Sequence, residues 1–198
     1  MKKTLLALVG LLAALPAQGS IIYLFQSVTP VGSSFDWKYT AQLAADQKIN
    51  TSMSPAFAVI FDFLGATSAT TSNVVAGLTL STTLENTTAT QAFSQNVADS
   101  ASTPNVRTTL TGTFSAPTNS ALYTIDIVST VGANFQRFIA QSAQALKSAP
   151  GDPADNSITG NTALIVGPTS ATPEPTTLGL LGLGLLGVGM VRARRTRA

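Results

Sequence analysis

Eight carboxylates lie between Ser20 and Thr172, at Asp36, Asp46, Asp62, Glu85, Asp99, Asp126, Asp152 and Asp155, and the whole chain has neither histidine nor cysteine to set beside them. Histidine is the side chain most used as a general base near neutral pH, as the partner of a Ser or Cys nucleophile and as a zinc ligand, so most hydrolase architectures are excluded. Without cysteine there are no disulfides and no thiolate metal sites. A glycosidase needs only two carboxylates about 5 to 9.5 Å apart. Asp36, Asp62, Asp126 and Glu85 are available for that chemistry, but nothing in the sequence pairs them. Each acid reads more simply as solvating a strand face or a turn, so no catalytic residue is assigned. Gly151-Asp152-Pro153-Ala154-Asp155-Asn156 offers oxygen ligands for calcium but lacks the dense acid spacing of a dedicated loop, and it reads as a polar turn. Neither a metal nor a cofactor is expected.

A different chemistry is suggested at Pro173-Glu174-Pro175. Proline fixes φ and disfavours helix in the residue before it, so two prolines bracketing an acid hold an extended backbone of the kind a protease can grip. Thr176 to Val191 follows, 16 residues without a charge, and then Arg192, Arg194, Arg195 and Arg197 in the last seven residues. Charged groups are costly at bilayer depth and cytoplasmic flanks collect Lys and Arg, so the arginine tail should stay inside while the rest of the chain lies outside. The span is at the short limit and carries five glycines, which suits a temporary anchor better than a permanent one.

The other end has the matching export pattern. Lys2 and Lys3 precede the apolar run Leu5 to Leu15, then Pro16 and the small residues Ala17-Gln18-Gly19. That is the positive, apolar and small-residue order of a signal peptide, with cleavage between Gly19 and Ser20 as the first choice and after Ala17 as the second.

A Pro-Glu-Pro-Thr/Ser-Thr box, a Leu/Gly-rich helix and a terminal arginine cluster together resemble the PEP-CTERM sorting signal, over Thr172 to Ala198. Pro173, Glu174 and Pro175 match residue by residue, with Thr176 where serine is commoner. The resemblance implies processing by exosortase, a membrane-embedded cysteine transpeptidase of Gram-negative bacteria that make exopolysaccharide, with removal of the helix and tail. The implied partners are signal peptidase and exosortase for processing and the inner membrane transiently. Exopolysaccharide is a further implied partner.

What remains is one domain, residues 20–171, of ordinary single-core size. Between Ser20 and Thr172 there are five cations against eight anions, a net charge of −3, so the basic character of the chain belongs to its ends. A nucleic-acid partner is excluded, because five scattered cations do not form a phosphate-binding face.

Along this stretch apolar residues alternate. Phe35, Trp37, Tyr39, Ala41 and Leu43 fall on one face and Asp36, Lys38, Thr40 and Gln42 on the other, as in a half-buried strand. Phe57 to Phe63, Val106 to Phe114 and Ala121 to Val131 give three more strands, and Ile21 to Gln26, Val74 to Leu80, Thr90 to Gln95 and Ala163 to Val166 are weaker candidates. Pro and Gly punctuate the gaps, among them Pro30-Val31-Gly32 and Gly112. Phe135, Phe138, Ile139 and Leu146 have near-helical spacing, so the segment 135–146 is open to either element. Seven to nine short strands predict an all-β fold, a single antiparallel β-sandwich, flanked by the signal-peptide helix and the short C-terminal hydrophobic helix.

The domain also resembles, loosely, one found in front of PEP-CTERM signals, through the strand Trp37-Lys38-Tyr39-Thr40, then Phe61-Asp62-Phe63-Leu64-Gly65, then Pro104-Asn105-Val106. That resemblance implies a β-sandwich without an assigned activity. Asp62 is expected to face outward or to bond a neighbouring loop. From Ala66 to Thr90, 12 of 25 residues are Ser or Thr, a composition of exposed strand faces that also suits O-linked sugars. The expectation for function is an exported, non-enzymatic structural or adhesive protein of the cell surface or exopolysaccharide matrix. The alternatives are a carbohydrate-binding module using exposed aromatics such as Trp37 or Tyr123, although the face Trp37 shares with Phe35, Tyr39 and Leu43 favours core packing there, and, behind it, a secreted hydrolase.

Overall fold

The structure, a computed structural model, describes residues 21–86, 97–116, 118–132, 136–147 and 156–168. Among the described residues there are ten antiparallel strands, against the seven to nine expected, with β3 and β5 not among the sequence candidates: β1 Ile21–Val31, β2 Ser34–Leu43, β3 Gln47–Asn50, β4 Ala56–Ile60, β5 Ala66–Ser72, β6 Leu78–Glu85, β7 Asn105–Ser115, β8 Ser120–Ser129, β9 Gln136–Lys147 and β10 Ile158–Pro168. One sheet has four strands in the order β1-β2-β8-β5, and the other has six, in which β10, β9, β3 and β7 follow one another, β4 lies between β9 and β7, and β6 flanks β7. β1 lies against β9 and β10, and β5 against β6, so the two sheets approach along both borders and the sandwich is barrel-like.

β3 and β4 occupy one slot end to end. β3 pairs with residues 113–115 of β7, and β4 with residues 106–110 of the same strand. Opposite the interruption sits Gly112, whose N–H donates to Thr51 Oγ1 (2.9 Å) while its carbonyl accepts from Thr51 N–H (3.1 Å). Gly112 has φ +126°, and a Cβ there would lie 2.1 Å from the Gly77 carbonyl oxygen, so no other residue fits without moving backbone. The expectation that Gly112 marks a gap between strands is therefore corrected: it lies inside β7, where backbones approach closely.

Other boundaries move for similar local reasons. β1 runs through Pro30 to a tight turn at Gly32, because a proline is tolerated on a border strand. The candidate Val74 to Leu80 is displaced to Leu78–Glu85, since the chain turns at Gly77 (φ +92°) while crossing from β5 to β6. β4 ends at Ile60, and Asp62 takes a left-handed φ of +50°, a conformation that Asp tolerates better than most residues. The segment 135–146, open to helix or strand on its sequence, is strand from Gln136 onward. The candidate Thr90 to Gln95 lies outside the described residues.

The core fills the space between the sheets. Trp37, Tyr39, Ala41 and Leu43 of β2 and Tyr123, Ile125 and Ile127 of β8 face Ile49, Ala58, Ile60, Val106, Leu110 and Ile139 of the second sheet, all buried. Rings of Trp37 and Tyr39 meet Phe63 edge-on at centroid separations of 5.9 and 6.2 Å, an arrangement worth about 0.5–1.5 kcal/mol per pair beyond burial. β4 is buried on both faces, its outward Phe57 and Val59 forming a second cluster with Phe61 just beyond it and with Val97 and Ala140.

Candidate functional site

The aromatic residues considered for glycan stacking are structural. Trp37 is fully buried and its indole N–H donates to the Val131 carbonyl (2.8 Å). Tyr123 is buried too, and shares a 2.7 Å hydrogen bond with the Tyr23 hydroxyl, which lies within reach of Thr108 Oγ1 at 3.4 Å. This is a correction to the carbohydrate-binding alternative as it was placed on Trp37 and Tyr123: neither ring presents a face to solvent. Desolvation pushes the phenols of Tyr23, Tyr39 and Tyr123 above their ordinary range, so all three remain neutral hydroxyl groups in the core.

Of the four carboxylates considered for paired acid chemistry, the fold brings two together. Asp36 and Lys38 point outward from β2, and Lys38 is directly opposite Asp126 on β8, so Asp36 and Asp126 are diagonal neighbours on the outer face of the four-stranded sheet. Lys38 Nζ lies 3.0 Å from Asp126 Oδ1, an ion pair between partly exposed side chains. Partial desolvation and the neighbouring Asp126 charge raise the Asp36 carboxyl above its usual range, with Lys38 opposing them. The sequence missed this pairing because it depends on the register of two strands more than eighty residues apart. The flanking outward positions are Thr29 on β1 and Thr70 on β5, so the group sits on an open, hydroxyl-lined sheet face.

The other two acids stand apart. Glu85 Oε1 is 3.9 Å from Arg107 Nη1, and the Arg107 guanidinium covers the Phe57 ring at 4.5 Å, where it shields an outward apolar residue. Asp62 Oδ1 accepts from Ser100 N–H (3.0 Å), and Asn105 Oδ1 accepts from Asp62 N–H (2.8 Å) while Asn105 Nδ2–H donates to Asp99 Oδ1 (2.9 Å). The expected loop-bonding role of Asp62 is the one observed. The same loop borders an open pocket of about 260 Å³ lined by Phe61, Asp62, Val97, Phe138 and Leu164 among others. Phe138 and Leu164 are the most exposed large apolar side chains among the described residues, at 66 and 67 %. Sequence reasoning missed this patch, because an outward Phe and Leu on a strand look the same as inward ones.

The sequence-derived processing residues, Gly19, Ser20, Pro173, Glu174, Pro175, Arg192, Arg194, Arg195 and Arg197, lie outside the described residues, as does most of the calcium-loop candidate at 151–156. The chain leaves the described domain at Pro168, the end of β10, five residues before Pro173. Residues 171–195 match the family description PEP-CTERM protein-sorting motif. The chain carries a PEP-CTERM sorting motif. Neither the curated proteins nor the solved structures gave a match for any part of the chain.

A PEP-CTERM motif indicates sorting by exosortase, with export and membrane-proximal processing on the way to the cell surface. The matched span takes in the Pro-Glu-Pro box, the whole uncharged run and three of the four tail arginines, Arg192, Arg194 and Arg195. The three parts that the physical reading separates, an extended junction, an apolar hold and a cationic stop, therefore fall within one recognised unit.

Proposed function

We propose that this PEP-CTERM protein is a non-enzymatic structural or adhesive component of the cell surface or exopolysaccharide matrix of a Gram-negative bacterium. Signal peptidase frees the N-terminus near Ser20, the C-terminal helix holds the protein briefly in the inner membrane, and exosortase removes the helix and tail. The observation that carries the reading is the sorting motif at residues 171–195. It is supported by the character of the surface that would be delivered. β5 is Ala-Thr-Ser-Ala-Thr-Thr-Ser with hydroxyls along its exposed positions, and the outward residues of β6 are also mainly Ser and Thr. Such faces offer many weak, water-compatible hydrogen bonds to a hydrated polysaccharide and no single pocket for one sugar.

The test is intact-mass analysis and fractionation of the wild-type protein in its native host, followed by co-sedimentation of the mature form with the isolated surface polysaccharide. A mature species that lacks Arg192 to Ala198 and travels with the polysaccharide is the expected result. A stable inner-membrane species still ending in the arginine tail overturns the sorting reading, and a processed protein that ignores the polysaccharide overturns the matrix role.

A further inference from the structure

We propose that Phe138 and Leu164 form a membrane-contacting patch, which lays the domain against the lipid surface while the C-terminal apolar run is still in the bilayer. The inference rests on the sorting reading for its biological setting, but its physical basis is separate. Phe138 lies opposite Val166, and Ala140 opposite Leu164, so Phe138 and Leu164 are diagonal neighbours on the outward face of the β9–β10 hairpin. Both line the same open pocket, beside Phe61 and Val97. Two side chains of this size, each two-thirds exposed and side by side at the rim of an apolar-lined pocket, form one contiguous apolar surface rather than two isolated exposed residues.

The occupant follows from where the chain goes. Leu164 is four residues before Pro168, and Pro168 is eight residues before Thr176, where the uncharged run begins. A fully extended chain covers at most about 3.3–3.6 Å per residue, so Pro168 lies within about 29 Å of the start of that run while the precursor is anchored. The polar headgroup layer itself takes up roughly 5–8 Å of this distance. Confinement on so short a tether turns a surface encounter into an intramolecular one, for which a weak patch suffices. Attraction to anionic lipid is not the source, because the stretch from Ser20 to Thr172 carries a net charge of −3. The contact is therefore apolar and insensitive to salt. It draws the β10 end, and with it the Pro173-Glu174-Pro175 junction, down to the depth at which a membrane-embedded protease works.

The chain has no cysteine, so a single Cys introduced at one position carries a nitroxide label without further change. Full-length precursor bearing Leu164→Cys, Phe138→Cys or, as a control, Met53→Cys is reconstituted into phosphatidylethanolamine–phosphatidylglycerol vesicles. Met53 is exposed in the turn between β3 and β4, close in sequence to Pro55, which bonds Gln144 six residues along β9 from Phe138. The label's collision rates with oxygen and with a water-soluble nickel chelate are then measured. The expected result is an oxygen-to-nickel ratio several-fold higher at 164 and 138 than at 53, unchanged by high salt. Equal, water-like ratios at all three positions overturn the proposal. Spin–spin broadening between labels on different molecules, persisting when the protein is diluted in excess lipid, also overturns it by making a second copy the occupant. In the native host, F138S/L164S should retain the wild-type melting temperature, because both residues are exposed, and lose its tail several-fold more slowly. If wild-type protein keeps its tail, the sorting reading fails, while the label ratios still decide the patch.

Discussion

The Gln141 side chain completes the border of the strand that carries Tyr23. Tyr23 N–H donates to Gln141 Oε1 (2.7 Å), and Gln141 Nε2–H donates to the Ile21 carbonyl (3.0 Å), so one carboxamide on β9 acts as a ladder partner for β1 across the gap between the sheets. Gln141 is fully buried, as are the two residues it serves. Tyr39 adds a second tie between the sheets, its hydroxyl donating to the Val166 carbonyl of β10 at 2.9 Å. Together the ties hold β1 over β9 and β2 over β10, the hairpin from which the sorting segment departs.

Gln141→Ala leaves a buried N–H and a buried carbonyl without partners. At about 1–3 kcal/mol for each unsatisfied group, and with some relaxation, the loss should be about 2–4 kcal/mol. Urea unfolding of the domain measures it, and a change under 1 kcal/mol would mean that water replaces the amide. Gln141→Glu tests the same point more finely, because a carboxylate accepts from Tyr23 N–H but cannot donate to Ile21.

Alkaline pH should unfold the domain abruptly. All three tyrosines of the chain are buried, with phenols raised above their ordinary value mainly by desolvation. A phenol that ionises less readily in the folded state loses stability for the fold as pH rises above the unfolded value of about 10, by up to 1.36 kcal/mol per pH unit per group. Three such groups together give a slope of roughly 4 kcal/mol per pH unit. Tyrosinate absorbance should stay flat until unfolding and then report all three phenols at once. A gradual titration ahead of the loss of β-sheet circular dichroism would contradict this.

The Asp36–Asp126 pair predicts a smaller effect of the same sign, at acid rather than alkaline pH. Asp36 has a raised folded value, so its proton is held more tightly in the native state and the charged form costs stability at neutral pH. Asp36→Asn should therefore raise Tm near pH 7 by roughly 1–3 °C, a modest figure because solvent screens the site. The gain should shrink as pH falls through the raised value and vanish below the ordinary carboxylate value of about 3.9. A loss of stability at pH 7 would show instead that attraction between Asp36 and Lys38 dominates.

Much of this architecture was legible in the sequence, and the exceptions have local causes. β2, β7 and β8 declare themselves because one face of each is apolar and the other polar, the pattern that a half-buried sheet imposes. β9 hides its period because Gln141 stands at an inward position between Ile139 and Ala143, a polar residue tolerated there only because β1 satisfies it. β5 hides because its exposed hydroxyls leave no apolar stripe to read, and β3 is too short to show one. At the candidate sites, residue types were readable but pairings were not. The nearness of Asp36 to Asp126 follows from register, and the burial of Trp37 and Tyr123 from which face of each strand turns inward.

The sorting motif makes the most direct prediction about function. If Pro173, Glu174 and Pro175 serve only as a spacer, replacing them with Ala-Gln-Ala leaves mass and location unaltered, because the apolar run and the arginines still insert. If they form the extended junction that the processing enzyme grips, the replacement leaves the protein in the inner membrane with Arg192 to Ala198 attached, since alanines permit the helix to continue where proline forbids it. The arginines can be separated from this step. Changing Arg192, Arg194, Arg195 and Arg197 to Gln keeps the junction intact but removes the charge that fixes orientation, so the tail should become reachable by protease added to the periplasmic side. Loss of processing in the first variant with correct topology, and loss of topology in the second, is the expected pair of results. Normal removal of the tail in the Ala-Gln-Ala variant would show that hydrophobicity and charge alone define the signal in this chain.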